Sequence, residues 1–179
     1  MINIISNKGF NEDELISFSK KVKFKLPNEY IKFLKQHNGG YVKDSIGIYH
    51  NNGKQRFILT SMFGLGTDDN LFEQFEMYKN RIPNTTIPIG RDVGGNLVCL
   101  NLSGTDYGKV YFWEHEIEGK YDHETMTVHD LYFIAENFDT FLHSIMKDDI
   151  RNLENMGYQA KKVWIEPGFL KDLENNSNE

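Results

Sequence analysis

The segment from Thr86 to Glu116 constrains the fold of this chain more than any other stretch. It holds three short apolar runs, at 87–89, 96–102 and 109–115, separated by glycine-bearing turns at 92–96 and 103–108. β-Rich runs joined by turns this short are typical of an antiparallel meander. The middle run is apolar at both parities, which predicts a central strand that is covered on both faces. The rest of the chain must supply strands beside this meander and helices over it.

Two helices are predicted before the meander. Asn11 can cap the first, from Glu12 to Lys21, in a capping box that Glu14 completes. The second opens at Leu26-Pro27, with proline in its first position, and ends at Asn38-Gly39-Gly40. We expect Gly39 or Gly40 to take a positive φ there, because glycine adopts that backbone conformation without strain. A hairpin turn at Asn51-Asn52-Gly53 then joins two short strands, predicted at 46–49 and 56–60.

Two more helices are predicted from apolar spacing. Asp68, Asp69 and Asn70 can cap a third helix that Pro83 stops, and its buried face comprises Leu71, Phe75, Tyr78 and Ile82. A short strand is expected within 128–135. Asn137 can cap the last main helix, in which one side carries Phe138, Phe141, Leu142, Ile145 and Met146. These patterns predict an α+β fold: a mainly antiparallel sheet with a central meander flanked by helices, in a single domain with a C-terminal extension. We place the domain at 1–147 and the extension, packing on it and ending in a frayed tail, at 148–179.

Composition narrows the classes of function. The net charge is −6, which disfavours sequence-independent binding of nucleic acid and favours a basic protein partner, although simple solubility also accounts for it. The sequence contains no apolar run of 18 residues and no secretory signal pattern at its N-terminus, so we expect a cytoplasmic protein that does not span a membrane. The single cysteine, Cys99, lies within the central strand and is expected to be a small buried apolar residue.

Three blocks of sequence resemble the SUKH superfamily. The first is Leu26-Pro27-Asn28-Glu29-Tyr30 with Phe33-Leu34 and Asn38-Gly39-Gly40. The second contains Ile87-Pro88-Ile89-Gly90, Gly94-Gly95-Asn96 and the segment from Gly108 to Glu116, and the third is Ile134-Ala135-Glu136-Asn137-Phe138 with Phe141-Leu142. The resemblance covers roughly Glu12 to Met146 and implies an α+β fold with a mainly antiparallel sheet.

The resemblance implies a protein that binds and does not catalyse. Most bacterial members of the superfamily look like immunity proteins, each of which silences a polymorphic toxin, often a nuclease, encoded beside it. Fungal members are similar in fold and regulate cell-wall synthesis and signalling. We therefore expect a bacterial immunity protein with a cognate, basic protein toxin as its partner. A non-catalytic scaffold or regulatory domain is the alternative. No catalytic residue, metal or cofactor is implied.

A search for an active site leaves a small hydrolase or metal-binding enzyme as the third possibility. His115 and His123, with Glu114, Glu116 and Asp122 nearby, are the best metal cluster, but their spacing matches no standard zinc pattern. His115 and Glu116 are predicted to be adjacent on a strand and hence to face opposite ways, which disfavours a base and its orienting group. Tyr111 and Trp113 fit either a stacking platform for single-stranded nucleic acid or a helix-covered core.

Carboxylates supply the candidate partner-binding residues. The main group lies in an acidic loop that contains Glu114, Glu116, Glu118, Asp122 and Glu124. A second group contains Asp68 and Asp69, with Glu73 and Glu76 following them. A nuclease toxin needs a basic groove for phosphates, and carboxylates can occupy that groove in place of phosphate. The alternatives are a solvated loop and, for Asp68 and Asp69, simple complementation of a helix N-terminus.

Overall fold

A computed structural model describes residues 4–7, 9–117 and 125–147, and for residues 44, 117 and 147 it describes the backbone only. The helices are α1 (Glu12–Val22), α2 (Asn28–His37), α3 (Leu71–Tyr78) and α4 (Phe138–Ser144). The strands are β1 (Ile4–Ser6), β2 (Gly40–His50), β3 (Lys54–Met62), β4 (Thr86–Asp92), β5 (Leu97–Asn101), β6 (Val110–Trp113), β7 (Tyr132–Ala135) and β8 (Met146–Lys147). The predicted α+β class is confirmed. The predicted extension at 148–179 lies outside the described residues.

The sheet closes on itself through β2. Its described strands follow the order β1-β2-β3-β4-β5-β6-β7, and every pairing between them is antiparallel. One bridge, His50 with Phe133, joins β7 back to β2, so the path from β2 to β7 is a ring. β8 also pairs with β2, at Ser45 and Ile46. β2 therefore contacts four strands, drawn from both ends of the described chain.

The predicted meander is confirmed as β4, β5 and β6. All five residues of β5 are buried, because the strand lies between β4 and β6 and carries apolar side chains on both faces. Cys99 is buried as expected, and burial raises the pKa of its thiol. Tyr111 and Trp113 are also buried, and the Trp113 ring lies 5.8 Å from that of Tyr78 in α3. The stacking-platform interpretation is therefore wrong, because neither ring face is available to a nucleotide.

The first two helices form close to their predicted ends. Asn11 caps α1 by accepting a hydrogen bond from the Asp13 amide, but Glu14 does not complete a capping box and lies against Gly66. Pro27 occupies the N-cap of α2, one position earlier than predicted. At the end of α2, Gly39 and Gly40 both have positive φ, at 71° and 136°, as the prediction required.

The last two helices are shorter than predicted. The caps Asn70 and Asn137 are confirmed, since each accepts a hydrogen bond from an amide in the first turn of its helix. α3 ends at Tyr78, well before Pro83, and Ile82 is buried from the following turn. α4 ends at Ser144, and the prediction that places Met146 on its buried side is wrong. Met146 belongs to β8 and is 47% exposed, because the chain leaves the helix to pair with β2.

Packing brings α1 beside α3. The Phe18 ring in α1 contacts Phe72 and Phe75 of α3 edge-on, with centroids 6.0 and 5.9 Å away. Ser17 of α1 lines a cavity with Phe72, whereas Lys21, one turn later, pairs with Glu76. The order of these contacts shows that the two helices run parallel, with both N-termini at one end.

Candidate partner-binding surface

The acidic loop is described only at its start. Glu118, Asp122 and Glu124 lie outside the described residues, so their predicted role is untested. Glu114 and Glu116 follow β6 directly. The strand ends at Trp113, and a 3-10 turn, His115–Ile117, replaces the strand geometry that we expected there.

Glu114 is held by a residue from another strand. Its Oε1 atom accepts a hydrogen bond of 2.5 Å from the Tyr49 hydroxyl of β2. The Tyr49 ring stacks on Phe112, with centroids 4.4 Å apart, so the hydroxyl has a fixed position. Burial is the main cause, and the hydrogen bond to Glu114 the second, of a raised pKa at Tyr49. The hydroxyl therefore remains a neutral donor near neutral pH. This carboxylate has one orientation already set by the fold.

His115 is turned toward the hairpin that joins β4 and β5. Its Nδ1 atom lies 2.7 Å from Asn96 Oδ1, and its backbone amide donates a hydrogen bond of 3.0 Å to the same oxygen. The argument that His115 and Glu116 lie on opposite faces of a strand is wrong, because both belong to the 3-10 turn. Within the described ranges, no group of three or more His, Cys, Asp or Glu side chains is placed to hold a metal ion.

Asp68 and Asp69 precede α3, as predicted, but they differ in their contacts. Asp69 forms an ion pair of 2.7 Å with Arg91 of β4 and is half-buried, whereas Asp68 is exposed. Asn70, and not either aspartate, caps the helix. Both aspartates lie where a helix N-terminus favours negative charge, so simple complementation of the helix dipole accounts for part of their presence.

The structure adds carboxylates that the sequence interpretation did not assign to the site. The parallel packing places Asp13 and Glu14 of α1 beside the loop before α3, around a cavity of 330 Å³ that Leu65 and Phe72 also line. We call this surface the acidic pole; its carboxylates are Glu12, Asp13, Glu14, Asp68, Asp69 and Glu73. Glu12 pairs with Lys35, whereas Asp13 and Asp68 form no ion pair with any described residue. The Glu14 Oε2 atom is buried and has no hydrogen-bond partner in the described part of the chain.

The opposite end of the same helix pair is basic. Lys21 of α1 and Lys79 after α3 both bind Glu76, at 2.9 and 2.7 Å. Both hydrogen bonds lower the pKa of Glu76 below its ordinary value, and the bond from Lys79 has the larger effect. Carboxylates at the N-termini and lysines at the C-termini offset the parallel helix dipoles. Asp13 and Glu14 could be recognised as a capping pattern, but no local signal predicts that α1 and α3 are neighbours.

A further surface is apolar. Ile46 of β2 pairs with Ile58 of β3 on one side and with Met146 of β8 on the other. Because directly opposed side chains in a sheet share a face, the three form an apolar row. Ile58 and Met146 are 45% and 47% exposed. The sequence interpretation missed this row because it placed Met146 in a helix.

Comparison with known proteins identifies the family. The family described as SMI1 / KNR4 family (SUKH-1) matches residues 9–144, which include β2 to β7 and all four helices. The chain belongs to the SUKH-1 family. The expected SUKH membership is therefore confirmed over most of the chain. Both the acidic pole and the described start of the acidic loop lie within the SUKH-1 match.

One curated relative of this SUKH-1 protein comes from Bacillus subtilis (strain 168). It is the SPbeta prophage-derived uncharacterized protein YokK, 27% identical over 155 residues, which cover 77% of this chain and 76% of the relative. In the part of the SUKH-1 chain that the structure describes, no helix is both long and apolar enough to cross a membrane.

Proposed function

We propose that this protein is a bacterial immunity protein that binds a cognate basic toxin and neutralises it without catalysis. Membership of the SUKH-1 family carries the proposal, because bacterial SUKH proteins resemble immunity proteins and the match covers residues 9–144. The bacterial source of the similar prophage-derived protein is consistent with the bacterial class of SUKH protein.

The acidic pole supports a basic partner. Asp13 and Asp68 are exposed and have no ion pair among the described residues, so a cationic partner would meet their full charge. Such unpaired surface charges act mainly by steering the encounter, which raises the association rate at low ionic strength. Glu116 is exposed on a different element and extends the negative surface into the loop of the original hypothesis. Both surfaces can present carboxylates where a nuclease toxin binds phosphates.

The proposal is tested by co-expression with the toxin encoded beside this gene, together with binding kinetics at two ionic strengths. We expect the unmodified protein to protect cells and to bind with a fast association that high salt slows. Two charge-reversal variants separate the surfaces: Asp13→Lys with Asp68→Lys, and Glu116→Lys with Glu118→Lys and Asp122→Lys. The variant at the true interface should lower the association rate by about tenfold or more and remove most of its salt dependence.

The control reverses an exposed carboxylate outside both surfaces, Asp139→Lys. It should leave association within about twofold of the unmodified rate, apart from the small effect of net charge. If neither acidic variant changes association, the interface lies elsewhere, and Ile58→Asp then tests the apolar row through its dissociation rate. Failure of the unmodified protein to bind or protect would favour the regulatory alternative.

A further inference from the structure

Asn101 is a buried amide that lacks one hydrogen bond. It lies at the end of β5, is 1% exposed, and its backbone amide and carbonyl bond with Lys109 and Gly108 at 2.9 and 2.8 Å. Its Nδ2 atom donates to the Ser103 carbonyl at 2.7 Å. Its Oδ1 atom has no hydrogen-bond partner among the described residues. An acceptor left unpaired in the interior has lost its hydrogen bond to water, so a donor that reaches this oxygen recovers that free energy.

Asn101 lines an open cavity of 270 Å³ whose walls are partly apolar, from Met126 and Val128, and partly polar. The β5–β6 connection contributes Ser103, Thr105 and Asp106, and the segment before β7 contributes Thr127 and His129. This volume is below the range of roughly 300–1,000 Å³ that is typical of small-molecule sites. The cavity therefore fits one inserted side chain better than a cofactor.

The charges at the cavity favour a cation. Lys109 binds both Asp106, at 2.9 Å, and Glu136, at 3.4 Å, so two carboxylates share one ammonium group. Two carboxylates and one ammonium group leave this cluster with one net negative charge.

We propose that the cavity receives an arginine side chain of the protein partner. A guanidinium group has five donors in a planar fork and no acceptor, so its chemistry matches both the unpaired Asn101 oxygen and the Asp106 carboxylate. Arginine is also among the side chains that most often anchor protein interfaces by filling a pocket. The identification of the partner as a toxin rests on the proposed function, but the chemistry of the cavity does not depend on that function.

The first test uses Nα-acetyl-arginine amide as the probe and the full-length ¹⁵N-labelled protein in NMR titrations. We expect saturable shifts of the Asn101 side-chain amide and of backbone amides in 103–106 and 127–129. Nα-acetyl-citrulline amide, which has nearly the same shape but no charge, should bind at least fivefold more weakly. Equal binding of the two probes, or shifts outside these segments only, would contradict the proposal.

Two matched variants test the role of Asp106. Asp106→Asn and Glu136→Gln each remove one negative charge beside Lys109, but only Asp106 lines the cavity. Asp106→Asn should weaken binding of the arginine probe at least fivefold, whereas Glu136→Gln should change it less than twofold. Equal losses would show that the probe responds to net charge alone and would overturn the site.

Thr105→Trp gives a further test, which does not depend on whether the Asp106→Asn variant folds normally. Thr105 is exposed on a 3-10 turn, so a tryptophan there can cover the cavity without entering the core. Thr140→Trp, on the exposed side of α4, is the control. Thr105→Trp should abolish probe binding and slow neutralisation of the toxin. If it blocks the probe but the toxin is neutralised normally, the toxin does not use this cavity and the proposal fails. If no toxin is bound but the probe binds as described, the cavity stands and the immunity function fails.

Discussion

At the scale of single residues, Tyr49 and Glu114 show how a buried group sets the position of a surface carboxylate. The phenol ring stacks on Phe112 at 4.4 Å between centroids, and the Phe112 ring in turn lies 4.8 Å from that of Phe57. Its hydroxyl then meets Glu114 at the end of β6, although the two residues are far apart in sequence. The geometry of this part of the acidic surface therefore depends on the core.

Tyr49→Phe removes the hydroxyl and leaves the ring stack intact. We expect the free energy of unfolding to fall by about 1–2 kcal/mol, because a hydrogen bond to a charged acceptor is lost. Urea denaturation with an unchanged m-value is the measurement. Glu114→Gln is the matched control, since its amide oxygen can still accept a hydrogen bond from Tyr49. Its free energy of unfolding should fall by less than that of Tyr49→Phe. A larger loss in Glu114→Gln than in Tyr49→Phe would mean that the hydroxyl is not the main partner of Glu114.

At the scale of elements, the junction between α2 and β2 shows why a turn needs glycine for two separate reasons. Asn38 ends α2 with φ 48°, and its side chain bonds both the amide and the carbonyl of Leu65 at 2.8 Å. Gly39 follows with φ 71° and packs against the backbone after β3: a Cβ atom there would lie 2.5 Å from the Met62 carbonyl oxygen. The junction is therefore limited by backbone conformation and by space.

A pair of alanine substitutions separates these two effects. Gly39 and Gly95 have similar φ, 71° and 83°, but nothing lies within 4 Å of a Cβ added at Gly95. Gly95→Ala should lower the free energy of unfolding by about 1–2 kcal/mol, because of the backbone conformation alone. Gly39→Ala should cost at least ~1 kcal/mol more, because the backbone at 62–64 must move. Equal losses in chemical denaturation would show that this crowding is relieved without cost.

The same elements show which parts of the fold can be predicted from sequence. The meander and the caps Asn11, Asn70 and Asn137 follow from residues within one turn or hairpin of each other, so local patterns were sufficient. Met146 was misplaced because its spacing continues a helical pattern, while the pairing with Ile46 that overrides the pattern comes from the other end of the chain.

The candidate site divides in the same way. Asp68 and Asp69 could be recognised because helix N-termini attract carboxylates in the sequence just before them. The addition of Asp13 and Glu14 depends on Phe18 packing against Phe72 and Phe75, a contact between segments more than 50 residues apart. The lone acceptor of Asn101 could not be predicted at all, because it is defined by the hydrogen bonds its neighbours already make.

At the scale of the whole molecule, burial of ionisable groups sets the response to alkaline pH. Desolvation raises the pKa of Tyr30, of Tyr49 and of the Cys99 thiol above their ordinary values. These groups bind protons more tightly in the folded state than in the unfolded state. Their contribution to stability is therefore complete below the unfolded pKa values, about 8.5 for cysteine and about 10 for tyrosine, and is lost as the pH rises above them.

We accordingly expect the melting temperature to fall steeply above about pH 9–10. Absorbance of tyrosinate should rise in two stages, with exposed phenols first and the buried ones only on unfolding. Tyr30→Phe should move the unfolding midpoint to higher pH at little cost in stability, since the Tyr30 hydroxyl has no hydrogen-bond partner among the residues that the structure describes. Tyr41→Phe, at a 56% exposed position, is the control and should leave the midpoint unchanged. A midpoint that moves equally in both variants would contradict this account.

The four partners of β2 also have a consequence for synthesis on the ribosome. β2 is complete at residue 50, but the strand that pairs with Ser45 and Ile46 is made only at residues 146 and 147. At usual rates of translation the interval is roughly 5–20 seconds. During that time this stretch of β2 is an open strand edge, the feature most prone to pairing with other chains. β8 is the shortest strand of the described sheet, and its pairing with β2 ends the exposure of this edge to aggregation.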